Sequence, residues 1–229
     1  MSTSRSRADA IYASLRRAIL EQALKPGTKL PEDTIGESFG VSRTGVRNAL
    51  VRLSSEGLVE MRPNRGASVA TPTLEEAIDV FAMRRAIEGE VIKRLCERMN
   101  KDAIDTLEAH VREEERALRA SAPRSIRLAG EFHILLAELT HSKYMTDLVS
   151  QVVSRSSLIL AQFGRPHSAE CGIDEHVALI EALKVQDAER ALAIMTKHLS
   201  SVETRALSEG TSPAPDVASI LRRYASAEP

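Results

Sequence analysis

The sequence predicts a mainly α protein in two parts: an N-terminal winged helix-turn-helix over residues 1–72 and a C-terminal all-α antiparallel helical bundle over 73–208. Three observations predict it. Three helical segments followed by two alternating apolar segments fill the first seventy residues. Thr71-Pro72-Thr73 interrupts that pattern as a linker. Beyond it, apolar residues recur at three- and four-residue steps as far as residue 207, with no strand signal. The remaining stretch, 209–229, is rich in Ser, Ala and Pro and reads as a flexible tail, with Ile220-Leu221 compatible with a brief helical turn.

The first helix is expected from about Arg7 to Gln22, because Ile11, Leu15, Ala18 and Ile19 share a face. Lys25-Pro26-Gly27 ends it with a turn. A short helix follows over 32–39, then the tight Gly40-Val41 connection. Ser42 is placed to cap a third helix, Arg43 to Ser55, whose stop is Gly57. Leu58–Met61 and Ala67–Ala70 alternate about Pro63-Asn64-Arg65-Gly66, the pattern of a β-hairpin. Later helices are expected at 74–99, 101–120, 124–140, 143–163, 173–185 and 187–207.

Composition narrows the function classes. The net charge of −1 divides unevenly: residues 1–72 carry eleven Lys/Arg against seven Asp/Glu, and the rest carries twenty against twenty-five. A basic module on an acidic body fits nucleic-acid contact by one part only, although such an excess is also common in soluble domains. No apolar run approaches the ~20 residues that span a bilayer, so no membrane partner is expected. The polar stretch Met1 to Arg7 does not read as a secretory signal. Two cysteines, Cys96 and Cys171, make no disulfide framework, so a cytoplasmic location is expected. Phosphate-cradling glycine loops and nucleophile elbows are absent from the sequence.

Three helices and a hairpin in this order place the third helix in a DNA major groove, with its N-terminal residues toward base edges. Those residues are Ser42, Arg43, Thr44, Gly45 and Arg47. Arginine suits the O6/N7 pair of guanine, and Ser42 and Thr44 can donate to phosphates. Gly45 removes a side chain where the helix would approach the duplex. Arg62, Asn64, Arg65 and Gly66 form a basic wing tip.

At these residues the chain resembles the GntR family of bacterial regulators. The matching stretches are Leu24–Leu30, Phe39–Thr44, Val46-Arg47, Ala49-Leu50, Leu53, Glu56–Val59 and Arg65-Gly66. The resemblance implies DNA contacts from Arg43, Thr44 and Arg47 and from the wing near Gly66. Two positions depart from it: Gly45 stands where many relatives have proline, and Asp33 where some place a DNA-contacting arginine.

In the helical part three histidines stand out: His133, His176 and His198. His176 and His198 are each eleven residues from position 187, so in an antiparallel hairpin both lie ~16 Å from the turn, side by side. A further helix carrying His133 could complete a tripod, and imidazole suits zinc or nickel. Three unrelated histidines are the competing reading. Residues 74–207 also resemble the FCD sensor domain of FadR-type GntR regulators, at Met83-Arg84-Arg85, Glu88, Glu131-Phe132-His133, Glu175-His176 and His198-Leu199. The resemblance implies a divalent metal held by an Asp and three His, with a small organic acid as effector. The Asp position is Ala129 here, so one anionic ligand is missing. Glu170, Cys171 and Asp174 stand near enough in sequence to replace it; Glu131 points elsewhere on its helix. Affinity for metal is expected to fall as pH drops through ~6.5.

Arg84 and Arg155 are candidate carboxylate clamps for the effector, or ordinary ion-pair partners. Gln162, Phe163, Arg165 and His167 form a polar-aromatic stretch that names no ligand. The reading is a homodimeric transcription regulator, repressor or activator, on an inverted-repeat double-stranded operator, controlled by a carboxylate-bearing effector. A metal-free sensor of the same class and a metal-dependent enzyme on the three histidines are its rivals.

Overall fold

The computed structural model of the protein describes residues 2–164, 170–207 and 221. Its N-terminal part contains α1 (Ser2–Leu20), α2 (Glu32–Phe39), α3 (Arg43–Ser55), β1 (Val59–Arg62) and β2 (Gly66–Val69). Six further helices follow: α4 (Leu74–Arg98), α5 (Lys101–Ala120), α6 (Ala122–Leu139), α7 (Lys143–Phe163), α8 (Glu170–Lys184) and α9 (Ala188–Ala206). Among the described residues no helix is long and apolar enough to cross a membrane.

The order of elements is the expected one, and the boundaries differ for local reasons. α1 begins five residues earlier than the apolar face requires. Ser42 occupies the N-cap of α3 in extended backbone, yet its hydroxyl makes no capping hydrogen bond. Thr73, expected within a linker, instead caps α4 by accepting from the Glu76 amide. β1 and β2 pair antiparallel with Val59 opposite Val69 and Arg62 opposite Gly66. Asn64 takes the left-handed conformation at the hairpin turn, which asparagine tolerates. The segment 27–30 adds hydrogen bonds along β2, from Leu30 N to Ala67 O and from Val69 N to Thr28 O.

Ile11, Leu15 and Ile19 of α1, Ile35 of α2, and Val46, Leu50 and Leu53 of α3 close one core over the hairpin residues Val59 and Val69. Two residues from far along the chain complete it. Leu158 of α7 is fully buried there. Leu221 is helical and fully buried in the same core, so that position is not part of a loose tail. The other residues of the expected 209–229 tail lie outside the described residues. A larger core, with Ile92, Phe132, Leu136, Val149, Leu183 and Leu199, fills the space among α4 to α9.

Two arginines tie the parts together. Arg155 of α7 donates to both carboxylate oxygens of Glu76 and, at 2.7 Å, to the Gly57 carbonyl just past α3. Arg127 of α6 donates to Glu21 at 3.1 Å and to Glu131 at 2.7 and 2.8 Å.

Gly57 makes the stop after α3 possible, with φ at +72°. A β-carbon there would meet only Arg155 Cδ, at an ordinary 3.8 Å, so any penalty is conformational. Gly57→Ala should therefore cost about 1–2 kcal/mol and Gly57→Asn less, since asparagine visits this region more readily. Urea unfolding of both variants checks the order; equal losses would count against it.

Candidate nucleic-acid interface and metal centre

The burial pattern of α3 separates two faces. Val46, Ala49, Leu50 and Leu53 point into the core. Ser42, Arg43, Thr44, Arg47, Asn48 and Val51 form the exposed face. Gly45 corrects the sequence reading: it is buried and faces inward, and a β-carbon there would lie 2.5 Å from Val41 Cγ1. Its missing side chain makes room for Val41 of the preceding turn rather than for a duplex. Sequence reasoning does not single out Asn48 and Val51. They lie one helical turn beyond Thr44 and Arg47, and that spacing puts them on the same face.

Neither arginine of this face is free. Arg43 forms a two-point ion pair with Asp33, Nε and Nη2 donating at 2.5 and 2.7 Å. Arg47 donates from Nε to Glu32 at 3.1 Å. Both acids lie in the first turn of α2, where the helix dipole favours negative charge. In the wing, Arg62, Asn64, Arg65 and Gly66 are all exposed, and Arg62 pairs with Glu60 at 2.7 Å.

In the helical part, the structure brings His133 of α6, His176 of α8 and His198 of α9 together. All three are buried, and one ligand nitrogen from each lies within 4.8 Å of the others. Gln186 and Asp187 form the α8–α9 turn, Asp187 accepting from the Arg190 amide, so the two helices return side by side. His133 Nε2 and His198 Nε2 are 3.2 Å apart. Phe132 stacks on His176 with ring centres 4.0 Å apart and fixes that ring.

Each outer nitrogen faces a carboxylate. His133 Nδ1 donates to Glu88 of α4, His176 Nδ1 to Glu114 of α5 at 3.0 Å, and His198 Nδ1 to Glu175 of α8 at 2.7 Å. With Nδ1–H committed, every Nε2 presents a lone pair inward. His176 Nε2 is buried with no hydrogen-bond partner. Four ligands at tetrahedral zinc lie about 3.3 Å from one another, given Zn–N near 2.0–2.1 Å, so the 3.2 Å pair and the orphaned nitrogen fit a divalent ion.

Electrostatics keep the donors available. Burial holds His133 and His176 well below the usual imidazole range, so both are neutral. The expectation that protonation near 6.5 competes with a metal is corrected for these two rings, because solvent cannot stabilise their cations. Burial also works against the Glu88 carboxylate, but the Arg84 charge and the His133 contact outweigh it and hold the carboxyl low. At Glu114 burial outweighs the opposing effect of His110, 3.4 Å away, and of His198, and pushes the carboxyl up to about 7.

Arg84 and Arg155 are not both at this cluster. Arg84 is buried beside it, with Nε donating to Glu88 at 2.6 Å and Nη1 to Ser156 at 2.9 Å, leaving Nη2 buried without a partner. It supports Glu88, the ion-pair role that the sequence leaves open beside that of a clamp. Arg155 lies at the joint between the two parts, and its partner Glu76 is twelve residues from Glu88 on α4, about 18 Å along the helix. Ala129, one turn before His133, brings no donor. Asp174 is exposed and Glu131 is engaged by Arg127. The side chains of Glu170 and Cys171, and residues Arg165 and His167, lie outside the described residues, while Gln162 and Phe163 are partly buried at the end of α7.

Sequence reasoning misses Glu114 and Glu175 as histidine supports. Glu175 adjoins His176 but serves His198, and Glu114 sits in the acidic run Glu113-Glu114-Glu115, where nothing local distinguishes it.

The arrangement sets a pH dependence for the metal-free protein. Between about pH 6.5 and 4.5, unfolding lets His133 and His176 take up two protons and makes Glu114 release one. The unfolded chain thus binds more protons overall, and these groups make stability fall on acidification by on the order of 1 kcal/mol per pH unit. Urea titrations of chelator-treated protein at pH 6.5, 5.5 and 4.5 check the sign; rising stability would mean charged imidazoles in the folded state.

Comparison with known proteins agrees with both parts. The model described as bacterial regulatory proteins, gntR family, matches residues 7–69, and the FCD domain model matches residues 79–201. An uncharacterized HTH-type transcriptional regulator, YdhC, of Bacillus subtilis strain 168 is 26% identical over 195 residues, covering 82% of this chain and 86% of its own. The HTH-type transcriptional repressor RspR of Escherichia coli K12 is 27% identical over 194 residues, covering 84% and 85%. Among solved structures, E. coli McbR/YncC has a TM-score of 0.75 at 19% identity, covering 85% of this chain and 94% of that one. A regulator from Rhodococcus sp. RHA1 has the same TM-score at 22% identity, covering 88% and 98%. Since the FCD match alone spans more than half of its length, the chain belongs to the GntR family of DNA-binding transcription regulators, in the FadR-type branch with a C-terminal FCD domain.

Proposed function

We propose that residues 1–72 read an inverted-repeat operator as part of a homodimer, and that residues 73–208 dimerise and sense a carboxylate-bearing effector at the three-histidine cluster. The observation that carries the sensing reading is the inward convergence of His133, His176 and His198 with every Nδ1 held by a carboxylate. These three nitrogens would hold zinc or nickel. A divalent ion bound there supplies one open, positively charged position suited to a carboxylate oxygen. The protein's own residues do the rest: Glu88, Glu114 and Glu175 orient the rings, Arg84 keeps Glu88 ionised, and Phe132 fixes His176.

On the DNA side, Arg43 and Arg47 meet base edges, and Ser42 and Thr44 meet phosphates. Arg62, Asn64, Arg65 and Gly66 follow the backbone from the wing. Exposed Leu74 and Ile78 on α4, and Tyr144 and Leu148 on α7, give the helical part apolar surface for a second copy. The relative named a repressor supports repression as the sign of control. Ala129 favours a second reading, a metal-free sensor whose histidines bind the effector directly.

Three outcomes are expected. Replacing Arg43 or Arg47 by Ala should cost roughly 1–3 kcal/mol of operator affinity, read by fluorescence anisotropy, whereas Arg65→Ala should weaken all duplexes alike. Full-length protein should sediment as a dimer at micromolar concentration. In Zn²⁺ and Ni²⁺ titrations, Ala129→Asp should bind more tightly than wild type and His176→Ala more weakly. If neither variant differs from wild type, the metal-free reading replaces the metal-bound one.

A further inference from the structure

The two arginines that face DNA are both held by carboxylates of their own domain, and composition gives no reason for this. A DNA-reading face gains affinity from every unopposed cation, yet the first turn of α2 places Glu32 and Asp33 against Arg47 and Arg43. The pairs are in register: successive residues of α2 meet residues one helical turn apart on α3. The Glu32 side chain is only 21% exposed, so its position is fixed by packing.

Which guanidinium hydrogens remain decides what each arginine can do. A guanidinium carries five N–H donors. Arg43 commits Nε and one hydrogen of Nη2 to Asp33, which leaves the end-on fork of Nη1 and Nη2. That fork matches the O6 and N7 acceptors of guanine. Arg47 commits Nε alone and keeps both terminal nitrogens. A neutral base edge can therefore be bound without breaking either ion pair. A phosphate gains less, because a carboxylate already balances the cation and repels the incoming anion.

We propose that Asp33 and Glu32 are positioning residues for DNA reading, which hold Arg43 and Arg47 end-on toward base edges and withhold them from phosphates. They supply discrimination at the expense of non-specific affinity. This rests on the reading that the exposed face of α3 meets the duplex.

The test uses full-length protein and two probes: a duplex enriched from a randomised library by the wild type, and a scrambled duplex of equal length and composition. Asp33→Asn preserves size and removes the charge; the side chain is 60% exposed, so it packs into no core. The affinity ratio between the two duplexes should fall by about tenfold, the scale of one misplaced base contact. Binding to the scrambled duplex should tighten, and its log–log salt slope should steepen by about one phosphate contact. Asp33→Glu should restore both values. An unchanged ratio and slope in Asp33→Asn would overturn the proposal, as would an equal loss on both duplexes. Arg43→Ala separates the layers: if it retains the full ratio, the DNA-facing assignment of α3 fails, and this inference with it.

Discussion

A carboxylate cannot sit alone in the middle of a helical bundle, and Glu88 is such a carboxylate. Leaving it unpaired would cost several kcal/mol, so its surroundings have to answer it. Arg84 supplies the charge from one turn away on α4, and His133 closes the other oxygen from α6. Arg84 then reaches Ser156 on α7. One buried charge thus determines the ring orientation of His133, the relation of α4 to α6 and α7, and which imidazole nitrogen faces inward. The same logic operates at Glu114 with the opposite outcome: burial prevails over the nearby histidines and raises the carboxyl, and His176 is its hydrogen-bond partner.

Much of this is legible in the sequence for reasons that can be named. Helical periodicity and the Asn64 turn act locally, and they set the order of elements with boundary errors of a few residues; α1 ends at Leu20 with Gln22 left-handed, before the expected stop at Pro26-Gly27. Family resemblance identifies the three histidines, and the equal distance of His176 and His198 from the turn at 187 explains why two of them meet. Side-chain direction is harder. Gly45 reads as facing DNA, because a glycine in a recognition helix says nothing about which way its missing side chain points; only Val41 packed over it decides. Arg155 reads as a clamp or an ion-pair partner, and the sequence cannot name which partner, because that partner lies seventy-nine residues away. Glu114 is hidden for the same reason.

The DNA-facing and sensing parts obey opposite electrostatic regimes. On α3 the ion pairs are exposed, and water screens them, so their consequence lies in geometry more than in stability. Around the histidines solvent is excluded, and each proton position carries weight. Rings with Nδ1–H donated outward leave three lone pairs aimed at one another, with His133 Nε2 and His198 Nε2 3.2 Å apart. That arrangement favours a cation between them.

Leu158 belongs to α7 by sequence and to the N-terminal core by position. A cut after residue 72 would therefore separate the chain at a place where the packing is not separable. The excised winged helix would carry a void the size of a leucine side chain in its core, and the remaining bundle would expose that leucine to water. The two parts match separate family models, but at this seam they share one hydrophobic core.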